Sequence, residues 1–335
     1  MATAASQPGH KGLDLGTSRI VLATLTGEKV KFAPQLNAFV ELPFTKMTER
    51  MLGNEAILHQ VNGESIYAYG NRSDEFAKFL NGDARRPMQS GLLNPTEPKN
   101  LEMIELLLTQ LCGKAGKNDK ICFSAPSAAA GHESDLIFHE RAVQAILEKL
   151  GYQAAAVNEG LAIVYSELKD ANFTGIGMSF GGGMCNISLA YLGLPVLSLA
   201  TTRAGDYIDH SVASVTGETP TTVRLHKEDQ DGFKLNGAAG GAIDQALGIY
   251  YTDVIHTAVE AMQKVIGESR KLPRFTAPVP IVCAGGTAMP KGFLPLLKKE
   301  IEGLKLPFAV ASVTLAKDPL NSTAKGALVS AMLNM

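Results

Sequence analysis

Short apolar runs alternate along the chain with stretches whose apolar residues recur at helical spacing. Runs such as KICFSAP and PVPIVCAGG are nearly continuous and end at proline or glycine, which is typical of buried strands. Stretches such as NLEMIELLLTQLCGKAG and SDLIFHERAVQAILEKLG show the helical period and end in glycine. This interleaving of strands and helices predicts an α/β architecture.

One supersecondary pattern occurs twice. Strand, glycine turn and strand are predicted at residues 12–25 and again at 175–192, and each copy is followed by further strands and helices. Two related α/β halves that face each other across a cleft would produce this repetition. The length of 335 residues agrees, because it is too long for one ordinary core and fits two domains.

Charge and composition exclude several classes of protein. The formal net charge is -2 and no basic run occurs, so the chain has no electrostatic footprint for nucleic acid or an anionic membrane. The N-terminal MATAASQPGHKG lacks the apolar core of a signal peptide, and no apolar run reaches the roughly 18 residues of a transmembrane helix. The four cysteines form no CxxC pair and are expected to be buried free thiols. We expect a cytoplasmic protein with no nucleic-acid partner and no direct membrane insertion.

The first glycine turn, GLDLGTS, carries an acid. Asp14 lies near the end of a buried strand, so its carboxylate points at whatever the hairpin faces. Gly16 lets the backbone come close, while Thr17 and Ser18 offer N–H donors to phosphate oxygens and Asp14 could hold Mg²⁺. The same motif also occurs in an ordinary β-turn in which the aspartate makes a local hydrogen bond and no ligand binds.

Two further glycine turns follow, and their order matters more than either alone. SFGGGMCN can present several N–H groups to a phosphate, and IVCAGGTAMPKGF leads from a strand through two glycines into a helix, where a ribose or phosphate can lie. Each turn also occurs without a ligand, as a hairpin, a bulge or a tight βα turn. Together the three predict a nucleotide tail between two hairpins, with its base at the third turn.

These motifs resemble those of the actin superfamily, which includes actins, seventy-kilodalton heat-shock chaperones and sugar kinases. LDLGTS is similar to the first phosphate motif, SFGGGMCN to the second and CAGGTAMPKGF to the adenosine motif. HERAVQAILEKLGYQAAAVNEGLAIVYS and STAKGALVSAML resemble the two connecting segments. RRPMQSGLLNPTEPKNLEMIELLLTQL is similar to a segment of prokaryotic actin-like cytoskeletal proteins such as MreB and MamK.

The resemblance implies an α/β actin-like ATPase fold, in which two related, ribonuclease H-like domains face each other across a nucleotide cleft. The first domain would comprise residues 1–160 and 318–335, with a small subdomain inserted at about 34–90. The second would comprise residues 161–317. Its own small subdomain, near 228–242, is predicted to be shortened, because the stretch from Ser179 to Gly285 is shorter than is usual in cell-shape actins.

The resemblance also implies roles for single residues around ATP or ADP and Mg²⁺. Asp14 would serve the metal and the attacking water. The catalytic polar residue that orients this water would be Glu140, with His139 and Glu133 as rivals. Lys227 would flank the adenine. The other implied nucleotide contacts are Gly16, Thr17, Ser18, Ser179, Gly181, Gly182, Gly183, Gly205, Asp206, Gly285, Gly286 and Thr287.

The second phosphate motif departs from the family at Ser179, where an aspartate is usual. The cleft would then keep the Asp14 carboxylate and lack a second one. Losing one preorganised electrostatic contact typically costs a rate factor of about 10²–10³, whereas backbone donors still bind phosphate. We therefore expect nucleotide binding with slow hydrolysis.

The implied function is that of an ATP-binding prokaryotic actin-like protein that assembles into cytoskeletal filaments in a nucleotide-dependent way. Such a protein would act in cell shape or a related task, with itself and membrane-protein adaptors as partners. Two alternatives stay open. The serine at 179 and the shortened second half favour a non-polymerising nucleotide-sensing adaptor or chaperone-like ATPase core. A small-molecule kinase of the same fold would need a catalytic aspartate, and the second half offers no convincing one.

Overall fold

The computed structural model describes residues 9–79, 84–128, 133–229, 233–235 and 240–333. Its elements confirm the predicted alternation of strands and helices. The part of the chain before residue 168 forms β1 (His10–Leu15), β2 (Arg19–Thr26), β3 (Lys29–Leu36), β4 (Phe39–Pro43), α1 (Lys46–Asn54), β5 (His59–Asn62), β6 (Ser65–Tyr69), α2 (Ser73–Phe79), β7 (Met88–Gln89), β8 (Leu92–Leu93), α3 (Asn100–Cys112), β9 (Lys120–Ala125), α4 (Glu133–Lys149), β10 (Gln153–Asn158) and α5 (Glu159–Glu167).

The remainder of the chain repeats the same order of strands without the small inserted strands. It forms β11 (Gly175–Phe180), β12 (Cys185–Tyr191), β13 (Leu194–Thr201), α6 (Gly205–Thr216), α7 (Pro220–Glu228), α8 (Ala242–Glu268), β14 (Val279–Ala284), α9 (Phe293–Glu302), β15 (Val310–Leu315) and α10 (Ser322–Leu333).

Two five-stranded sheets of identical topology organise the molecule. Their strand orders are β3-β2-β1-β9-β10 and β13-β12-β11-β14-β15. In each, the first three strands form an antiparallel meander and the last two are parallel to the first strand. A helix connects each pair of parallel neighbours, as such crossovers require. The predicted repetition of strand, glycine turn and strand is therefore part of a repeat of a whole α/β unit.

Helices α5 and α10 lie between the two sheets. α10 packs on β1 and β9, α5 packs on β11 and β12, and the two helices pack against each other. Their contact is close because Gly326 has no side chain: a Cβ there would lie 1.7 Å from the carbonyl oxygen of Ala162. A bulkier residue would push the helices, and with them the two sheets, apart. α3 and α4 pack on the first sheet, and α8 and α9 on the second.

The apolar cores follow this layering. One large cluster of buried residues lies in the second half, where β11, β12 and β14 meet α8 and α9, and another lies where β1 and β9 meet α3 and α4. A smaller cluster sits between the three-stranded sheet β4-β6-β5 and helices α1 and α2. The two large clusters contain β9, β14, α3 and α4, whose apolar patterns predicted burial.

Part of the predicted small subdomain of the second half, near 228–242, lies outside the described residues, namely 230–232 and 236–239. The described residues between β13 and β14 form helices and no sheet. All four cysteines are buried and unpaired. In the part of the chain that the structure describes, no helix has the length and apolar character needed to cross a membrane.

Candidate functional site

The two glycine turns that the sequence singled out touch each other between the halves. One joins β1 to β2 and the other joins β11 to β12. A Cβ on Gly183 would lie 2.3 Å from Thr17 Oγ1, and one on Gly182 would lie 2.7 Å from Ser18 Oγ. Because real Cβ contacts are longer than this, only glycine lets the turns approach so closely.

The N-terminus of α6 fixes the orientation of the second turn. The N–H groups of Gly205 and Asp206 donate to the carbonyl oxygens of Gly181 (3.1 Å) and Gly182 (2.7 Å). In a trans peptide the N–H points opposite to the carbonyl, so the N–H groups of Gly182 and Gly183 point away from α6. Neither has a hydrogen-bond partner among the described residues. They are therefore available to an anion, as in a backbone nest.

The third predicted turn joins the second through a side chain. Thr287, which follows β14 in a single turn of 3₁₀ helix, donates from Oγ1 to the carbonyl oxygen of Gly181 at 2.8 Å. The Gly285 N–H donates to the Pro319 carbonyl oxygen at 2.9 Å, which holds the start of this turn. The predicted phosphate and nucleoside turns of the second half thus form one connected surface.

Lys227 lies beneath α6. Its Nζ is 2.6 Å from Asp209 Oδ1 and donates to the Gly205 carbonyl oxygen at 3.3 Å, and both charged side chains are buried. Burial raises the pKa of Asp209, an effect that the neighbouring ammonium opposes. The ion pair ties α7 to the start of α6, so Lys227 supports the helix whose N-terminus orients the second turn.

A strap from the first half, residues 84–93, reaches the second half. Arg86 Nη1 donates to Asp206 Oδ1 at 3.0 Å, which joins the strap to the N-terminus of α6. At the tip of the strap, the Gly91 N–H donates to Thr17 Oγ1 at 2.9 Å. The strap therefore contacts both glycine turns, and its tip also lies against the second turn directly, since a Cβ on Gly183 would lie 2.6 Å from the Gly91 nitrogen.

A pair of carboxyl groups lies beside these turns, of which Glu159 is buried and Asp14 is half-buried. Asp14 Oδ1 accepts a hydrogen bond from Ser124 Oγ at 2.9 Å, and this hydroxyl accepts in turn from the Leu15 N–H. Glu159 is the first residue of α5, and its Oε2 accepts from Ser179 Oγ at 3.1 Å and from Asn186 Nδ2 at 3.0 Å.

The electrostatics show that these two carboxyl groups are neighbours. Burial raises the pKa of both Asp14 and Glu159, and the negative charge of Asp14 raises the pKa of Glu159 further. Two such groups do not ionise together without a cation, because each charge penalises the other in a site of low polarity. The site is therefore arranged to accept positive charge.

These donors fit Mg²⁺. The part of the chain described by the structure contains no group of three or more His, Cys, Asp and Glu side chains that could hold a metal. Mg²⁺ is usually bound by only one or two carboxylates, with phosphates and water as its other ligands. Asp14, the predicted metal residue, supplies one such carboxylate next to two turns with open N–H donors, and Glu159 lies beside it.

Sequence reasoning missed Glu159 and placed a single carboxylate in the cleft. The structure corrects that expectation: the hydroxyl of Ser179, which stands where the family has an aspartate, donates to a carboxylate from a different element. A signal was present in the letters VNEG. Asn158 caps α5 by accepting from the N–H groups of Gly160 and Leu161, which puts a glutamate in the first turn at the end of a strand beside β9.

The three catalytic candidates of the sequence lie on α4. Glu140 is half-buried, burial raises its pKa, and no described contact joins it to the cleft. His139 is fully buried, neither ring nitrogen has a hydrogen-bond partner among the described residues, and burial lowers its pKa to about 4. The side chain of Glu133 lies outside the described residues. The structure brings Asp14 together with Glu159, and no described contact joins Asp14 to Glu140 or His139.

The acid pair predicts how stability depends on pH. In the folded protein the pKa of Glu159 is raised to about 8, whereas in the unfolded chain a glutamate loses its proton near pH 4.5. The folded state therefore holds a proton that the unfolded state has released, and stability falls as pH rises, by at most about 1.4 kcal/mol per pH unit. We expect the melting temperature of the protein without nucleotide or Mg²⁺ to fall by several degrees from about pH 6.5 to 8.5.

Glu159→Gln should flatten this dependence, because the amide oxygen can still accept from Ser179 and Asn186 while nothing titrates. The exposed Glu148 provides the control, and Glu148→Gln should follow the wild type. Melting curves above pH 6.5 avoid His139, whose lowered pKa acts in the opposite direction at lower pH. Parallel curves for wild type and Glu159→Gln would show that Glu159 does not hold this proton.

Comparisons with known proteins agree with the architecture. The chain is 27% identical to the actin-like protein MamK of Magnetospirillum gryphiswaldense over 343 aligned residues, which cover 95% of this chain and 87% of that protein. Its structure is similar to that of a MamK double helical filament, with a TM-score of 0.71 and 21% identity over 96% of this chain and 98% of the other. It is also similar to MreB 5 of Spiroplasma citri bound to AMPPNP, with a TM-score of 0.69 and 14% identity over 97% and 96% of the two chains.

The two structural likenesses confirm the expected actin-like ATPase fold with its two related α/β halves. A family model described as Volactin matches residues 10–331, which is nearly the whole chain. The protein therefore belongs to the Volactin family and has the fold of the prokaryotic actin-like proteins.

Proposed function

We propose that this protein binds ATP with Mg²⁺ in the cleft between its halves and assembles into cytoskeletal filaments in a nucleotide-dependent way. One observation carries the proposal: two glycine turns with open N–H donors meet beside the carboxyl groups of Asp14 and Glu159. The similarity to MamK, of which one solved structure is a double helical filament, and to an MreB bound to AMPPNP supports it.

Different elements of the site contact the phosphates, the nucleoside and the base of the nucleotide. The backbone N–H groups of Thr17, Ser18, Gly182 and Gly183 bind the phosphates, and Gly16 lets the backbone come close. The N-terminus of α6 at Gly205 and Asp206 adds its partial positive charge. The turn at Gly285, Gly286 and Thr287 lies under the nucleoside, and α7 with Lys227 borders the base.

Hydrolysis is slow and depends on positioning. A water molecule attacks the terminal phosphorus as the bond to the bridging oxygen breaks. Glu159 orients this water and receives its proton, while Ser179 and Asn186 hold the carboxylate in place. Ser124 holds the Asp14 carboxylate in place. Asp14 would hold Mg²⁺, which would supply positive charge against the phosphates. Glu140 remains the alternative to Glu159.

The two halves act as domains. The proposed boundaries are 1–160 with 318–335, and 161–317, with the small subdomain at about 34–90 in the first domain and a shortened one near 228–242 in the second. The strands support these boundaries, because the first sheet ends at Asn158 and the second begins at Gly175. The strap that pairs Arg86 with Asp206 would tie cleft closure to assembly.

Assembly follows from identical head-to-tail contacts, which propagate as an open filament unless the rotation closes a ring. We place such filaments in the cytoplasm, in cell shape or a related task, with membrane-protein adaptors connecting them to the cell envelope.

Sedimentation tests the proposal. Purified protein incubated with Mg–ATP should pellet at high speed and show filaments by electron microscopy, with slow phosphate release. Gly183→Ala should abolish the pellet, because its Cβ would collide with Thr17 Oγ1 at 2.3 Å and hold the turns apart. Gly267→Ala is the control, since a Cβ at that position of α8 meets nothing within 4 Å.

Other outcomes would assign a different function. Nucleotide binding without a pellet over a wide range of protein concentration would contradict assembly and indicate a sensing adaptor or chaperone-like core. ATP consumption that requires an added metabolite would indicate a kinase.

A further inference from the structure

Asn37 is a buried polar residue at the boundary between two sheets. It follows β3 and precedes β4, and its side chain is fully buried. Its Nδ2 donates to the Gly16 carbonyl oxygen at 2.9 Å, and its backbone N–H donates to the Ser18 carbonyl oxygen at 3.1 Å. Asn37 thus binds the first glycine turn at both ends of its tip.

The side-chain bond fixes the direction of a phosphate donor. The Gly16 carbonyl and the Thr17 N–H belong to one trans peptide and point in opposite directions. Asn37 Nδ2 therefore holds the Thr17 N–H away from itself. The Gly16 N–H is used inside the turn, where it donates to the Arg19 carbonyl oxygen at 3.0 Å. The N–H groups of Thr17 and Ser18 have no hydrogen-bond partner among the described residues, so these are the open donors of the turn.

Asn37 is poorly suited to a purely structural role. Its Oδ1 is buried and has no donor among the described residues. A buried acceptor without a partner costs stability. The side chain makes one hydrogen bond to a described residue, although its amide has two N–H donors and an acceptor oxygen. The orientation of the side chain gives the first glycine turn a hydrogen bond and leaves the Oδ1 acceptor buried without a partner among the described residues.

We propose that Asn37 is a positioning residue for nucleotide phosphate, which holds the Thr17 N–H in its binding orientation. It performs for the first turn what the N-terminus of α6 performs for the second, where Gly205 and Asp206 hold the carbonyl oxygens of Gly181 and Gly182. This inference rests on the proposed binding of Mg–ATP in the cleft.

The inference is tested by measuring the affinity of wild type and of Asn37 variants for a fluorescent ATP analogue with Mg²⁺. Asn37→Ala should weaken binding about tenfold, because the Gly16 carbonyl loses its donor and the turn its orientation. Asn37→Asp keeps the shape and places an acceptor against the Gly16 carbonyl, so it should weaken binding at least as much. The aspartate variant also tests the missing donor if the alanine variant does not fold.

Asn71, in the turn that follows β6, provides a matched control because it contacts the end of β3. Its Oδ1 accepts from the Leu36 N–H at 2.7 Å and its Nδ2 donates to the Pro34 carbonyl oxygen at 3.2 Å, so it binds the end of β3 as Asn37 binds the turn. Asn71→Ala should leave the affinity within twofold of wild type. Melting temperatures without nucleotide separate the two effects, since a structural role alone would lower them without changing affinity.

Two outcomes would overturn the inference, and they differ. If wild type binds the analogue and Asn37→Ala binds equally well, Asn37 does not position the turn although the proposed function stands. If wild type does not bind the analogue, the proposed function fails, and the inference fails with it.

Discussion

Asp14→Ala is expected to abolish magnesium-dependent nucleotide binding, with a loss of affinity of about a hundredfold or more. The carboxylate lies beside the meeting point of the two glycine turns and is held by Ser124 Oγ, so nothing else replaces it as a ligand on this side of the cleft. The protein without nucleotide should remain folded, because burial raises the pKa of Asp14 and its removal relieves an unfavourable charge. Isothermal titration with Mg–ATP, and with ATP in excess EDTA, measures the effect.

Asp119→Ala is the matched control. Asp119 lies at the other end of the same sheet, just before β9, and accepts from the N–H groups of Gly9 and Gly116. The Asp119→Ala variant should bind Mg–ATP with wild-type affinity. An unchanged affinity in Asp14→Ala would show that the site has been assigned to the wrong residues.

Glu159→Gln should lower the rate of ATP hydrolysis by a factor of about 10²–10³ and leave nucleotide binding nearly unchanged. The amide oxygen can keep the hydrogen bonds from Ser179 and Asn186, so the geometry of the site persists. What is lost is the group that takes the proton of the attacking water. Single-turnover phosphate release at saturating Mg–ATP isolates this step from binding.

Glu140→Gln tests whether the catalytic residue is Glu159, which the structure indicates, or Glu140, which the sequence predicted. Glu140 lies on α4, and no described contact joins it to Asp14, so its replacement should leave the rate of hydrolysis close to wild type. If Glu140→Gln abolishes hydrolysis and Glu159→Gln does not, the catalytic role belongs to Glu140, and Glu159 only shapes the site.

Because Glu159 lies at the site, the serine at position 179 does not leave the site with a single carboxylate. From the letters, a serine in place of the usual aspartate left the cleft with one carboxylate. In the folded protein, the serine hydroxyl donates to Glu159, whose pKa is already raised by burial and by Asp14. An aspartate at 179 would place another charge against this pair. The serine thus suits a site in which the second carboxylate comes from α5.

The architecture and the glycine turns could be predicted from the sequence. Apolar periodicity predicts strands such as β9 and β14 and helices such as α3 and α4, and the repeated strand, turn and strand predicts two related halves, because these patterns are local. The turns could be identified for the same reason: residues 16–18 and 181–183 are contiguous, and glycine in a hairpin is visible without knowing what it faces.

The set of side chains that lie together at the site could not be predicted from the sequence. Asp14 and Glu159 are far apart in the chain and meet because α5 begins at the edge where β1 and β9 end. Asn37 reaches Gly16, and Arg86 reaches Asp206, through the same kind of long-range approach. The amino-acid sequence indicates local structural preferences. A pKa, a buried hydrogen bond or a Cβ collision instead depends on atoms that the fold brings together from distant parts of the chain.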